Sequence, residues 1–150
     1  MRTLYASIIT VVLLAGSAIG VAGQDQGSDG ADAGPGQAIS DRVMEVWATG
    51  DETGIDALYA PDVLMMIDGE EYAADRDGIT SVIKGAIGIG NTYRQVGPVI
   101  DFVDSGGDLY VGTIVEVNGI AHRKGDPVIG FYRVRDGKVI RHILLYGPEY

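Results

Sequence analysis

The chain has 150 residues, 21 Asp or Glu against 11 Lys or Arg, a formal net charge of −10 and no cysteine. Such a length supports one domain with a real core, and the lack of cysteine excludes disulfides, thiol catalysis and cysteine-held zinc. The acidity argues against general electrostatic binding to nucleic acid or to an anionic membrane surface and otherwise reads as a solubilising exterior.

Met1–Thr3 is a short, weakly basic start, and Leu4–Ala22 is uncharged and mostly apolar. Gly20-Val21-Ala22-Gly23 places small residues where a peptidase needs them, so residues 1–23 read as a signal peptide and the protein as secreted or periplasmic. The alternative is an uncleaved N-terminal membrane anchor, since the apolar run is nearly long enough to span a bilayer. Residues 24–37 (QDQGSDGADAGPGQ) have little apolar area to bury and read as a flexible linker. The folded domain is then 38–150.

Within it, Ile39, Val43, Val46 and Trp47 recur at helical spacing over 38–49, and Gly50 stops that helix. A second short helix is expected over 53–59 from Ile55, Leu58 and Tyr59, broken by Ala60-Pro61-Asp62. Val63–Ile67 is a short apolar strand, Asp68-Gly69 a turn, and Glu70–Ala73 a return strand. Asp77 is expected to cap a third helix with Ile79, Val82, Ile83, Ala86 and Ile87 on its inner face, ending at Gly88–Asn91. Four strands follow: Tyr93–Asp104, Leu109–Asn118, Asp126–Arg135 and Lys138–Tyr146, with turn chemistry at 105–108 and Asn118-Gly119. Helices first and a strand meander last predict an α+β domain, its helices on one face of a curved antiparallel sheet. No internal repeat is present.

The last ribbon, FYRVRDGKVIRHILLYGPEY, carries most of the functional expectation. If Gly137 takes the left-handed position of a three-residue turn, Val134 faces Lys138. Alternation then puts Tyr132, Ile140, His142, Leu144 and Tyr146 on one face, and Phe131, Arg133, Arg135, Arg141, Ile143 and Leu145 on the other. A two-residue Asp136-Gly137 turn would instead set Phe131 beside His142. The first arrangement gathers the polar rings on one side and the arginines on the other, and is preferred for that reason.

The order Val46-Trp47-Ala48-Thr49-Gly50-Asp51, Leu58-Tyr59-Ala60-Pro61-Asp62-Val63, Asp77-Gly78-Ile79, Tyr132–Ile140 and Leu145-Tyr146-Gly147 resembles the nuclear transport factor 2-like superfamily, with its SnoaL-like and ketosteroid isomerase-like domains. The resemblance covers residues 38–147. It implies a cone-shaped curved antiparallel (mixed) β-sheet with three N-terminal helices enclosing a cavity, and a homodimer through the outer sheet face. The isomerase site would need a tyrosine, a base aspartate and a protonated acid at positions that here hold Val43, Ile67 and Gly130, which argues against steroid isomerisation. Asp68 lies one residue beyond the base position.

Among candidate catalytic residues, His142 is expected to face the cavity, either as a tuned acid or base or as a core histidine satisfied by a hydroxyl. Tyr132 and Tyr146 share its face and could supply that hydroxyl, donate to a ligand carbonyl, or simply pack. Asp68 is a turn residue or a mouth carboxylate paired with His142. Candidate ligand-binding residues are Trp47, Ile67, Tyr93, Val111, Thr113, Val115, Ile140, Leu144 and, from a loop over the mouth, His122. No metal-ligand spacing or phosphate loop stands out, so any reaction is expected to be acid/base chemistry without metal or cofactor.

The expected function is an exported domain binding a small hydrophobic molecule, with or without isomerase, cyclase or hydrolase-like turnover. The alternative is a non-catalytic binding or dimerisation module, for which the outward Phe131, Ile143 and Leu145 speak. An inhibitor meeting a basic partner through its acidic surface is a third possibility.

Overall fold

The computed structural model describes residues 34–119 and 122–147, with backbone alone for 122–126. The expected signal segment and most of the expected linker lie outside the described residues.

Helix α1, Pro35–Thr49, starts earlier than the apolar spacing implied. Gly34 offers no capping side chain, and the capping role passes to a distant residue: the Asp101 carboxylate accepts from the Gly36 N–H at 2.7 Å. An anion there complements the positive end of the helix. Gly36 is what permits the approach, because a Cβ at that position would lie 2.4 Å from the same carboxylate oxygen. Gly50 ends the helix as expected, in the left-handed region at φ 66°, its N–H on the Val46 carbonyl.

Helix α2, Glu52–Leu58, is capped by Asp51, which accepts from Gly54 N at 2.8 Å. Helix α3, Arg76–Gly88, is capped by Asp75 rather than by Asp77; Asp75 accepts from Gly78 N at 2.7 Å, and Asp77 lies inside the first turn. The sequence offers both aspartates, and the one lying three residues before a close-packed glycine N–H wins.

Strand β1, Tyr59–Ile67, begins directly where α2 stops, and Ala60-Pro61-Asp62 lies within it rather than before it. Its pairing with the last strand is irregular between Tyr59 and Leu64, where the proline has no N–H to give to the ladder. β2 (Glu70–Ala73) returns beside β1. The single strand expected over 93–104 is two strands, β3 (Thr92–Gln95) and β4 (Ile100–Val103), separated around Pro98 and both paired with β5 (Leu109–Gly119). β6 runs His122–Arg135 and β7 Lys138–Tyr146.

The sheet order is β2-β1-β7-β6-β5-β3, with β4 also on β5, and β1–β7 is the parallel pair among antiparallel neighbours. The buried faces of the three helices (Ile39, Val43, Val46 and Trp47; Ile55 and Leu58; Ile79 and Ile83) meet the inward residues of β1, β5, β6 and β7 in one core. The architecture is the expected α+β arrangement of three helices on a mixed, mostly antiparallel seven-stranded sheet.

Candidate functional site

The site is built on the β6–β7 hairpin, and its register decides which side chains enter the core. Asp136 and Gly137 have φ of 50° and 75°, and Arg135 pairs with Lys138. This is a two-residue turn of the type I′ kind, not the three-residue turn preferred from the sequence. Even so, Tyr132 stands opposite His142. The register slips by one residue between Arg133 and Val134, so that Arg133 pairs with Arg141 and Ile140 is the extra, bulged residue. The bulge restores the phase that the shorter turn would have lost. Its consequence is a correction: Val139, fully buried, takes the inward place expected for Ile140, which is only half-buried.

His142 is 1% exposed and is held by aromatic side chains from three directions. Trp47 of α1 meets its ring edge-on at 5.4 Å, Tyr132 edge-on at 4.8 Å, and Tyr59 lies parallel at 6.0 Å. The Trp47 Nε1–H donates to the Tyr59 hydroxyl at 3.0 Å, and that hydroxyl lies 3.0 Å from His142 Nδ1. The hydroxyl that satisfies the histidine is therefore Tyr59's, not that of Tyr132 or Tyr146. Tyr59 reaches it because β1 is parallel to β7 beyond the proline irregularity.

Three buried polar atoms of this inner face have no protein partner: His142 Nε2, the Tyr132 hydroxyl and the Thr113 hydroxyl. Tyr132 extends toward Gly130, where a Cβ would sit 2.9 Å from its hydroxyl. The phenol thus fills the space that a side chain at 130 would claim. Burial pushes the Tyr59 and Tyr132 phenols well above their ordinary pKa of 10.0, and pushes His142 from 6.5 down to about 3. All three groups are neutral across the physiological range. As a neutral ring with Nδ1 engaged, His142 is a poor proton carrier; what the interior offers is neutral polar groups.

Between α1 and the sheet lies a cavity of about 10 Å³, room for about one water molecule. Of the expected ligand-binding residues, Trp47, Tyr93, Val115 and Leu144 line it, together with His142 and Tyr132. Val111 and Thr113 are buried on the same face of β5 but belong to the surrounding core, and Ile67 is half-buried beside it. Val43, Met44, Val117 and Val128 complete the lining. These were missed although strand alternation from Val115 and Tyr132, and helical spacing from Trp47, pointed to them. Met44 and Tyr93 are the half-buried members of the lining, so the way out runs past them.

Asp68 is not part of this group. It is exposed at the β1–β2 turn with φ 50°, and its carboxylate accepts from the Tyr146 N–H at 2.8 Å while its own N–H bonds the Leu144 carbonyl. It fastens the end of β7 to the turn, so the expected Asp68–His142 acid/base pair is not assembled. Tyr146 is half-buried near Tyr93 and Asp68, and burial, with those neighbours, pushes its phenol up to about 12. His122 stands in a β5–β6 hairpin, paired with Gly119, rather than in a free loop, and its side chain lies outside the described residues. Among the described residues, no cluster of three or more His, Cys, Asp or Glu could hold a metal ion.

A model of the SnoaL-like domain matches residues 41–142. No curated protein matches the sequence. Among solved structures, a candidate isomerase of the SnoaL-like family from Agrobacterium tumefaciens is similar with a TM-score of 0.62 at 8% identity, over 75% of this chain and 97% of that one. A protein described as NTF2-like from Cytophaga hutchinsonii gives 0.56 at 17% identity over 73% and 93%. An epoxide hydrolase from M. tuberculosis gives 0.56 at 13% over 73% and 80%. At such identities the likeness is one of fold.

Proposed function

The chain belongs to the SnoaL-like domain family, and on that footing we propose that its interior binds a small, mostly apolar molecule through a hydrogen-bond acceptor on that molecule. The observation that carries this reading is a pair of buried polar atoms without a protein partner, the Tyr132 hydroxyl and His142 Nε2, on two side chains that line a mostly apolar cavity. A buried polar group left unpaired costs about 1–3 kcal/mol, and phenylalanine at 132 would avoid that cost in a core meant only to be packed. The cavity admits about one water-sized group, so a ligand places its acceptor there while Met44, an unbranched side chain at the way out, moves aside for its apolar body.

Neutral donors in a dry site can polarise a carbonyl or epoxide oxygen, which supports isomerase, cyclase or hydrolase-like turnover, the range spanned by the names of the structural neighbours. The uncharged segment Leu4–Ala22 supports export. The test is thermal stabilisation across a panel of hydrophobic ketones, esters and epoxides, on the wild type and on Tyr132→Phe. Stabilisation of the wild type, weakened in the variant, is expected. A panel with no stabilising member, and a Tyr132→Phe variant more stable than the wild type, would leave a packed core and no ligand site.

A second reading rests on a different face. Ile114, Ile129 and Leu145 form one cross-strand row on the outside of β5, β6 and β7, and Phe131 lies in the next row; they are 38%, 43%, 37% and 44% exposed. Ile100 and Phe102 of β4 extend the patch, with Phe102 stacked on Tyr110 at 4.9 Å. An apolar sheet face of this kind suits a homodimer.

A further inference from the structure

Two facts about the hydrogen-bond chain on β1 and β7 fix the direction of every proton in it. The Trp47 indole N–H can only donate, so the Tyr59 oxygen accepts from it. Tyr59 is fully buried, and His142 Nδ1 is its other partner. If Nδ1 carried a proton it would donate to the same oxygen, and the Tyr59 O–H would then be buried without an acceptor. His142 Nε2 would also be a buried lone pair without a donor. With the Tyr59 O–H donating to Nδ1, the first of those defects disappears. The ring proton then sits on Nε2, the atom left unpartnered. His142 lines the cavity and Tyr59 does not, and the engaged edge of the imidazole is the one turned to Tyr59 on β1.

We infer that Tyr59, backed by Trp47, is a positioning residue that locks His142 in the Nε2–H form, so that the site selects ligands carrying a neutral acceptor oxygen, as in a ketone, ester or epoxide, over isosteric hydrocarbons. This rests on the interior-ligand reading for its ligand half, but not for the lock itself. Tyr132 lines the same hollow, and its hydroxyl is likewise buried and unpartnered, beside Gly130. No acidic side chain lines the cavity, so ammonium groups find no counter-charge there.

The test is two-bond 1H–15N correlation of the imidazole rings in the full chain labelled at histidine. The chain has two histidines, and His122→Gln separates their signals. At neutral pH the His142 ring should show a pyrrole-type, protonated Nε2 and a pyridine-type Nδ1. In Tyr59→Phe, the Nδ1 signal should move as its donor is lost and the two tautomers begin to mix. A proton on Nδ1 in the wild type would overturn the lock without any variant needing to fold, and an Nδ1 signal indifferent to Tyr59→Phe would overturn the role of Tyr59. Cyclohexanone and methylenecyclohexane, which share a ring and differ in the oxygen, then test selection. The ketone should raise the melting temperature more and shift the Nε2–H resonance. Equal stabilisation by both, or binding of the ketone with no shift at Nε2–H, would overturn selection by the imidazole. If neither compound stabilises the protein while the tautomer is as assigned, it is the interior-ligand reading that falls and not the lock.

Discussion

At the scale of single residues, His142 decides how this domain responds to acid. In the folded state burial among Trp47, Tyr59 and Tyr132 holds its pKa near 3, against 6.5 for an ordinary histidine. Between those values the unfolded chain binds a proton that the folded chain refuses. More protons on the unfolded state means stability rises with pH, so the penalty is absent above about pH 6.5 and grows as pH falls toward 3. The slope from this one group is about 1.4 kcal/mol per pH unit. Urea denaturation at pH 7, 6, 5 and 4 should show it, and His142→Ala should flatten the curve over that window. A wild-type stability unchanged from pH 7 to pH 4 would mean the imidazole is hydrated. The same substitution removes a buried ring packed on three aromatic neighbours and strands the Tyr59 O–H, so it should cost about 2–4 kcal/mol at pH 7. Alanine at 142 would spare the melting temperature only in a half-open pocket, which this interior is not. Asp108 acts in a lower window. Its hydrogen bonds from Arg135, at 2.8 and 2.9 Å, and from Arg133, at 2.6 Å, hold its carboxyl at about 2, so the stability it gives is lost only as pH falls below about 4.

At the scale of elements, the β6–β7 hairpin shows what a sequence does and does not disclose. Alternation placed Tyr132, His142 and Leu144 together on the inner face, and they are there. The turn was misread because Asp136-Gly137 suits both a two-residue turn and a longer one with a bulge. The bulge at Ile140, three residues past Gly137, leaves no local mark in the sequence: Ile140 is as apolar as Val139. What selects it is the tertiary demand that Val139 and His142 both point inward although an odd number of steps separates them. Helices and most strands were legible from periodicity and caps, with errors where two signals competed, as at Asp75 against Asp77 and at Pro98 within a seemingly continuous strand. Tyr59 was not legible as a site residue, since its partner lies 83 positions away and is reached only through a parallel pairing. Because Ile140 is the extra residue, deleting it should keep Tyr132 opposite His142 and lower the melting temperature only modestly. Deleting Ile143 instead exchanges inward and outward side chains on one side of the gap, and should abolish cooperative unfolding. Thermal melts of the two deletions check this reading, and equal effects would refute it.

At the scale of the whole molecule, the two faces of the sheet are under different constraints. The inner face is nearly filled, with space for about one water molecule between α1 and the sheet, so anything larger would enter only if side chains near Met44 moved. The outer face is the reverse: its apolar side chains on β4, β5, β6 and β7 are open and its rows are continuous across strands. Below that patch the arginines gather. Arg133 lies over the Tyr110 ring at 5.4 Å and, with Arg135, is tied to Asp108, which leaves the apolar rows without a free acid inside them. Two copies meeting through these rows would bury Ile129 and Phe131 near the centre of the contact, where single residues weigh most, while the acidic remainder of the surface stays in water. Phe131→Asp places a charge in that centre on the side of β6 opposite to His142, so it should convert a dimer to a monomer in sedimentation velocity and leave the His142 ring resonances unchanged. A wild type that sediments as a monomer at high protein concentration would refute the homodimer, and a variant in which the ring resonances also move would show that the two faces are coupled through β6.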